Sequence, residues 1–338
     1  MANPILRILP LGFPWQTQDP FLFCVHHMDA YPKGNEHLGP TASLAGRNIG
    51  QDFTVKDGWR MYHGSRVPGF PSHPHRGFET VTIVQKGFID HSDSLGAAAR
   101  FGNGDVQWMT AGKGIQHSEM FPLLSTEHDN PLELFQIWLN LPRAGKLVEP
   151  YFQMIWSEQI PLATNMDGQG KKTTVKIVAG VLDDHKGIAP PPDSWAANTE
   201  HDLAIWIITM EPEATWTLPK AKEGVNRNLY FFEGASIAVG DHEVPAYKGI
   251  VLDPDQAVPL KNGATPGRLL LLHGVSIKEP VVQHGPFVMN TEAEIRQTFL
   301  DYQKTQFGGW PWPSNEPVHP RNIGRFAKYV DGREEARD

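Results

Sequence analysis

Apolar residues along this chain recur in short runs separated by Gly, Pro, Asn or Asp. Between about residues 78 and 180 the runs are FETVTIV, FIDHSDS, DVQWM, LELFQIWLNL and TVKIVAG; from residue 203 they are LAIWIITM, ATWTL, NLYFFEG, SIAVG, GIVLD and RLLLLHG. Their length, their β-branched content and the turn residues between them are typical of strands in a sandwich or barrel. The pattern therefore predicts a mainly all-β chain in which the same kind of β-domain occurs twice.

A faint internal repeat supports two domains. The segment IVQKGFIDH with the later FGNGDVQWM resembles YFFEGASIAVG with the later AYKGIVLDP, both in the strand–Gly–strand element and in the Gly-led strand that follows. Between the halves, the proline-rich segment GIAPPPDSWAANT, residues 187–199, is the best candidate linker. We expect an N-terminal domain over residues 1–190 and a C-terminal domain over residues 191–338.

One helix is predicted near the C-terminal end, in TEAEIRQTFLDYQKTQFGG. Thr291 and Glu294 form a capping-box pattern at its start. Ile295, Phe299 and Tyr302 follow at helical spacing, and a Gly-Gly pair ends the segment. We expect a short helix that begins at Thr291 and packs on a sheet.

Charge and cysteine content exclude several classes of function. The 338 residues include 30 Lys+Arg and 38 Asp+Glu, a net charge of -8, which offers no general attraction to a nucleic-acid backbone. The one cysteine, Cys24, has no intramolecular partner, and prolines interrupt the N-terminal segment MANPILRILPLGFPW. No run approaches the roughly 18 apolar residues of a membrane span. We expect a soluble cytoplasmic protein that does not bind nucleic acid directly.

Two histidine-containing pairs are the strongest chemical signal. In SHPHRGFET, residues 72–80, His73 and His75 stand at i and i+2, so both imidazoles would point to one face of a strand. In AGKGIQHSEMFP, His117 and Glu119 have the same spacing after a glycine-rich turn. Two such pairs on adjacent strands would place three imidazoles and a carboxylate around one point. That ligand set suits Fe(II), Ni, Cu, Mn or Zn better than Mg or Ca.

A second carboxylate competes with Glu119. Glu79 lies four residues after His75 and would face the same side if the strand ran straight. Its alternative role is to orient a histidine or Arg76 next to the metal, since metal sites usually need such partners. We prefer Glu119 as the ligand, with Glu79 and Arg76 as supporting candidates.

The motifs HPHRGFETVTIV, GDVQWMTAGKGIQHSEM, VEPYFQ and QHGPFVMNT together resemble the pirin family of the cupin superfamily. The resemblance extends from DPFLF to about Tyr302. It implies a bicupin, two cupin-type antiparallel β-barrels, with one metal in the N-terminal barrel. The family's three histidines and one glutamate fall on His73, His75, His117 and Glu119. Fe(II) is the first expectation for the metal, with Ni, Cu, Mn, Co and Zn as alternatives.

The C-terminal half has no H-x-H in TWTLPKAKEGVNRNLYFFEG, so its barrel should be metal-free. The sequence departs from the family pattern in two segments. Residues 30–70 are longer than in the compact animal pirins, and WPWPSNEPVHPRNIGRFAKYVDGREEARD, residues 310–338, extends beyond the family core. Either segment could cover the pocket.

The resemblance implies a metal-dependent dioxygenase that acts on flavonols, as in quercetin 2,3-dioxygenase. In that chemistry the substrate 3-hydroxyl binds the metal as its oxyanion, and a carboxylate takes the proton. Glu119 would be both ligand and base, unless Glu79 serves. On a regular strand, Val81 and Ile83 would share the face of the histidines and form an apolar wall for an aromatic substrate.

Two other functions fit the same residues. The first is a regulatory protein without turnover, in which the occupancy or redox state of the metal alters a surface that binds a protein partner. The second is a structural metal, which His3Glu could close tetrahedrally on zinc, although structural zinc sites favour cysteine.

Overall fold

The computed structural model describes residues 3–338. Over this range the chain forms 26 strands, one α-helix and five short 3-10 helices. The strands are β1 (Ile5–Pro10), β2 (Phe21–Tyr31), β3 (Gly69–His75), β4 (Phe78–Lys86), β5 (Phe88–Asp93), β6 (Ala98–Gly102), β7 (Val106–Thr110), β8 (Ile115–Met120), β9 (Asn130–Asn140), β10 (Tyr151–Ile155), β11 (Leu162–Met166), β12 (Lys172–Ala179), β13 (Val181–Leu182), β14 (His185–Lys186), β15 (Ala204–Met210), β16 (Thr215–Leu218), β17 (Val225–Glu233), β18 (Ser236–Val239), β19 (His242–Pro245), β20 (Lys248–Leu252), β21 (Val258–Asn262), β22 (Gly267–Val275), β23 (Val282–His284), β24 (Phe287–Met289), β25 (Arg325–Lys328) and β26 (Glu334–Arg337). The α-helix is α1 (Glu292–Thr305), and the 3-10 helices are Arg143–Gly145, Ser157–Gln159, Trp195–Ala197, Thr199–His201 and Gln306–Gly308.

The chain divides into two compact units, each assembled from separate stretches of sequence. We call the first the aliphatic unit; it comprises the chain up to Val25, Ile137–Leu141 and Glu158–Lys278. We call the second the histidine unit; it comprises His26–Gln136, Pro142–Ser157 and Glu279–Asp338. The prediction of a mainly all-β chain with two antiparallel β-domains is confirmed.

The aliphatic unit contains a seven-stranded antiparallel sheet in the order β1-β20-β17-β22-β15-β12-β11 and a four-stranded sheet in the order β16-β21-β18-β19. Buried positions alternate with less buried ones in β18 and β21, whereas the central strands β15, β17 and β22 of the large sheet are buried at nearly every position. The resulting core consists of aliphatic and aromatic side chains, among them Val175, Ile208, Leu229, Phe231, Ile250, Leu269 and Leu271.

The histidine unit contains a six-stranded antiparallel sheet in the order β26-β25-β6-β5-β8-β3. Most of the five-stranded sheet β10-β7-β4-β9-β2 belongs to it as well. Part of its interior is an apolar cluster that includes Val84, Ile89, Phe101, Met154 and Trp156. The rest is polar and contains histidines of β3, β5 and β8.

The division differs from the predicted domains 1–190 and 191–338. The C-terminal helix and tail, Glu279–Asp338, belong to the histidine unit because β25 pairs with β6. Residues 187–199, the predicted linker, lie inside the aliphatic unit. Local sequence patterns do not reveal which distant strand completes a sheet.

Helix α1 begins as the capping pattern predicted. The hydroxyl oxygen of Thr291 accepts a hydrogen bond from the backbone N–H of Glu294, and the Thr291 hydroxyl contacts the Glu294 carboxylate at 3.0 Å. The helix buries Ile295 and Thr298, while Phe299 is 39% exposed. Thr291 thus satisfies one N–H group that the first turn of a helix leaves without a partner, and the Glu294 carboxylate accepts from the backbone N–H of Asn290 at 3.1 Å.

Candidate metal centre

Three neighbouring strands bring histidines and carboxylates onto one buried face. β3 pairs with β8 so that His73 lies directly opposite His117. On its other side β8 pairs with β5, where Asp93 lies opposite His117 and His91 lies opposite Glu119. Cross-strand partners project from the same face of a sheet. These five side chains therefore share one face of the six-stranded sheet.

The predicted histidines converge. His75 shares the face of His73 because the two are two residues apart in β3. One ring nitrogen each of His73, His75 and His117 lies within 4.8 Å of the others. The ring centroids are 4.7 Å apart for His73–His75, 4.5 Å for His73–His117 and 4.9 Å for His75–His117. Over residues 3–338 this is the one group of histidine, cysteine and carboxylate side chains placed to hold a metal ion.

Hydrogen bonds orient two of the imidazoles toward the centre. Nδ1 of His73 donates to the carbonyl oxygen of Pro71 at 2.8 Å, and Nδ1 of His75 donates to that of Pro286 at 3.4 Å. Because a carbonyl only accepts, each Nδ1 carries the proton and Nε2 keeps its lone pair. In the described chain neither ring nitrogen of the buried His117 has a hydrogen-bond partner. Two oriented imidazoles and one with unsatisfied nitrogens fit a bound metal.

Burial keeps the three imidazoles neutral. It lowers the pKa of His73 to about 4 and the pKa values of His75 and His117 well below the ordinary value, and neighbouring histidines lower the pKa of all three further. A charged imidazole would have to leave water and sit beside two others. At neutral pH all three are therefore in the form that binds a metal.

Glu119 lies beside the triad with its carboxylate held in place. One of its oxygens is 4.0 Å from Nε2 of His117, but the carboxylate does not belong to the group whose ligand atoms lie within 4.8 Å of one another. Thr82 donates to it at 3.2 Å and Gln136 at 2.6 Å. Burial raises the pKa of Glu119 despite opposing contributions from His91 and the two donors.

Glu79 occupies the other face of its sheet. β3 ends at His75 and β4 begins at Phe78, so the straight strand assumed from the sequence is interrupted. Thr82 points toward Glu119, and strand alternation places Glu79, Val81 and Ile83 on the opposite face of β4. The expectation that Val81 and Ile83 line the site is therefore wrong. The Thr110 hydroxyl donates to the Glu79 carboxylate at 2.7 Å.

Arg76 anchors the turn between β3 and β4 to helix α1. Its guanidinium donates to the Asp301 carboxylate at 2.7 Å, to the Thr298 hydroxyl at 3.3 Å and to the carbonyl of Lys113 at 2.6 Å. The following residue, Gly77, has φ +85, and a Cβ there would lie 1.9 Å from the carbonyl oxygen of Val288. Arg76 thus fixes the position at which the strand carrying His73 and His75 ends.

The sequence reasoning missed His91 and Asp93, although FIDHSDS contains them. His91 is fully buried, its ring centroid is 5.6 Å from that of His117, and it stacks on Phe152 at 5.0 Å. Its Nε2 lies 3.3 Å from the Asp93 carboxylate. The signal was available, because H-x-D at i and i+2 in a strand follows the alternation used for His73 and His75.

The segment 30–70 supplies aromatic rings next to the triad. Phe53 is 41% exposed and contacts the exposed His63, with ring centroids 4.9 Å apart. His63 is 5.8 Å from Phe70, and Phe70 is 6.3 Å from His73, the partly exposed member of the triad. A chain of rings therefore leads from the protein surface to the candidate metal centre.

The C-terminal tail supports the strand behind the triad. The ring of His319 hydrogen-bonds to the backbone carbonyl of His91 at 3.0 Å, and the indole N–H of Trp312 donates to that of Asp93 at 2.8 Å. These bonds involve the backbone of β5 and leave its side chains facing the triad. The tail thus holds the strand that carries His91 and Asp93.

These features first define the class of protein: a bicupin in which one β unit, within the described residues, carries a histidine triad that could hold a metal. The chain belongs to the pirin family, since the pirin family matches residues 15–139 and the pirin C-terminal cupin domain matches residues 205–308. Across residues 3–338 no helix has the length and apolar character needed to cross a membrane.

Known proteins resemble most of the chain. Pirin-1 of Arabidopsis thaliana is 38% identical over 244 residues, which cover 71% of this chain and 78% of that protein. Pirin of Rattus norvegicus is 35% identical over 254 residues, covering 73% and 80%. A crystal structure of quercetin 2,3-dioxygenase from Acinetobacter baumannii aligns with a TM-score of 0.69 and 28% identity, covering 91% of this chain and 96% of that one.

Proposed function

We propose that this protein is a metal-dependent dioxygenase that cleaves flavonol-type aromatic substrates, with one divalent transition metal, Fe(II) first, held by His73, His75 and His117 and by Glu119 as the fourth ligand. The observation that carries the proposal is the convergence of three neutral imidazoles within 4.8 Å of one another. The similarity to a quercetin 2,3-dioxygenase structure supports the substrate class.

The aromatic rings at the mouth of the site also support a planar substrate. Phe53, His63 and Phe70 are arranged edge to face or tilted, with centroids between 4.9 and 6.4 Å apart. Such rings offer faces and edges on which another aromatic ring can pack. A flavonol entering past them would reach His73 first.

A divalent transition metal would supply Lewis-acid chemistry toward the 3-hydroxyl of the flavonol and toward O2. Glu119 is the residue we assign to accept the proton from that hydroxyl. Burial raises the pKa of the Glu119 carboxyl group. Its carboxylate therefore accepts a proton more readily than an exposed carboxylate does. Thr82 and Gln136 keep the carboxylate oriented while it gains the proton.

Anaerobic loading with iron, copper, nickel, cobalt, manganese or zinc, followed by oxygen-uptake measurements on quercetin, tests the proposal. We expect about one equivalent of metal per chain and uptake of O2 in step with loss of quercetin for at least one redox-capable metal. The metal-free protein is the control. A full metal site without O2 uptake for any of these metals contradicts the proposal and favours the regulatory protein without turnover.

A further inference from the structure

Gln107 is a fully buried amide that the metal hypothesis does not use. Its side chain is 0% exposed, and within the described residues neither its amide nitrogen nor its amide oxygen has a hydrogen-bond partner. It lies in β7 directly opposite Thr82 of β4, whose hydroxyl donates to Glu119. Because cross-strand partners share a face, Gln107 projects toward the interior that contains Glu119.

Gln107 has polar neighbours on one side and apolar neighbours on the other. On the other side of β7, Gln107 lies opposite Met154, which belongs to the apolar cluster of the histidine unit. Thr82 and Glu119 lie on the polar side, and the carboxylate of Glu119 is 4.0 Å from His117. Gln107 therefore stands at the boundary between the apolar cluster and the residues around the triad.

Leaving an amide buried without partners is costly. A buried donor or acceptor without a hydrogen bond loses about 1 to 3 kcal/mol, and native proteins keep few such groups. An isosteric apolar residue would fill the same space without that cost. A buried glutamine whose amide has no partner among the described residues therefore points to a ligand that supplies the missing hydrogen bonds.

We propose that Gln107 is a substrate-positioning residue whose amide binds a ring hydroxyl of the flavonol at a distance from the metal. This inference rests on the proposed function. A primary amide both donates and accepts, which matches a hydroxyl group, and it carries no charge that would require an ionic ligand. Gln107 would thus distinguish polyhydroxylated flavonols from those without additional hydroxyls.

Gln107→Met tests the inference, with quercetin and 3-hydroxyflavone as the two probes. We expect metal content to stay unchanged and the melting temperature of the metal-free protein to stay equal or rise, because an unsatisfied amide is removed. Anaerobic titration of the metal-loaded protein should show quercetin binding weakened roughly 5- to 100-fold, the range expected for a buried hydrogen bond. Binding of 3-hydroxyflavone, which lacks the other ring hydroxyls, should change much less.

Gln153→Met is the matched control. Gln153 lies in the adjacent strand β10 opposite Trp108, one residue from Gln107, and therefore on the other face of the sheet. We expect this variant to bind both flavonols as the wild type does. A similar loss in both glutamine variants would point to a general effect of the substitution and would overturn the assignment.

Two further results overturn the role of Gln107. The first is unchanged affinity for both probes, as expected if ordered water alone satisfies the amide. The second is an equal loss for both probes together with lower metal content, which marks a structural role. Oxygen uptake separates this inference from the proposed function: Gln107-dependent quercetin binding without turnover contradicts only the proposed function, whereas turnover with normal discrimination in Gln107→Met contradicts only the inference.

Discussion

The two units share an antiparallel β architecture but differ in the side chains that line their interiors. In the aliphatic unit, β17, β20 and β22 contribute Leu229, Ile250 and Leu271, all fully buried among other apolar side chains. In the histidine unit, β8 contributes His117 and Glu119 to a buried face. Burying imidazoles and carboxylates costs free energy that an apolar core does not. The architecture is compatible with an apolar interior, so the polar one requires a functional explanation.

The units also differ in the chain segment that extends their large sheets. In the aliphatic unit β1, from the N-terminal region, pairs with β20 at the sheet edge. In the histidine unit β25 and β26, from the C-terminal tail, extend the sheet beyond β6. The tail is also anchored by Arg100, which donates to the carbonyls of His319, Pro320 and Ile323. In the histidine unit, the buried guanidinium of Arg100 thus anchors the segment that extends the sheet.

The largest expected effect separates the two interiors by metal binding. His117→Ala should lose most of the bound metal, because one of the ligands is removed and the remaining imidazoles bind far more weakly. His273→Ala changes a buried histidine of the aliphatic unit and should retain the full metal content. Metal analysis after dialysis measures both. Equal retention in the two variants would place the metal outside the triad.

The second prediction concerns the two glutamates of the histidine unit. Glu119→Gln should weaken metal binding and abolish flavonol cleavage, because an amide is a poor ligand and cannot accept the 3-hydroxyl proton. Glu79→Gln, on the opposite face of β4, should cost at most roughly 10- to 100-fold in activity. Metal titration and steady-state kinetics distinguish them. The assignment of the carboxylate fails if Glu79→Gln empties the site while Glu119→Gln leaves it full.

The third prediction concerns the attachment of the tail. Arg100 and Asp90 are both fully buried and form two hydrogen bonds of 2.7 Å. Arg100→Met leaves the Asp90 carboxylate buried without its cation and should lower the free energy of unfolding by about 3 to 5 kcal/mol. Lys261→Met, which removes an exposed pair with Glu213 in the aliphatic unit, should cost less than about 1 kcal/mol.

Urea unfolding at pH 7.5 measures both variants of this third prediction. A loss below 1 kcal/mol for Arg100→Met would show that the tail contributes little to the histidine unit. The two units would then differ in their interiors but not in the way their sheets are extended.

The smallest expected effect per residue is on the pH dependence of the metal-free protein. Burial lowers the pKa of His27 to about 3, with a further contribution from Arg60, and burial lowers the pKa values of His73 and His273 to about 4. Below pH 6.5 the unfolded chain therefore takes up protons that the folded chain does not bind, and stability falls with pH down to about pH 4.

One histidine with a folded pKa of about 4 should cost roughly 2 kcal/mol at pH 5 relative to neutral pH. Between pH 7 and pH 8 each of these histidines should change the stability by less than about 0.2 kcal/mol, which is the internal control. Urea unfolding of metal-free protein over this range is the measurement. Equal stability at pH 7 and pH 5 would contradict the neutral, buried state assigned to these imidazoles.

The sequence by itself determined the type of fold and identified the histidines of the candidate metal centre. Short β-branched runs between turn residues predicted strands, and a Thr-x-x-Glu pattern predicted the start of helix α1. Each of these signals is formed by residues that are close together in sequence. The i, i+2 spacing predicted that His73 and His75 share a face. These features depend on local backbone geometry, which the sequence specifies directly.

The tertiary structure alone decided which distant segments meet. The sequence predicted one regular strand from His73 to Ile83. In the structure a turn at Gly77, where the Val288 carbonyl approaches closely, separates β3 from β4. The pairing of β8 with β5 brought His91 and Asp93 to the triad, and the pairing of β25 with β6 moved the tail into the histidine unit. The register between strands far apart in sequence depends on packing across the whole sheet, so local sequence patterns do not predict it.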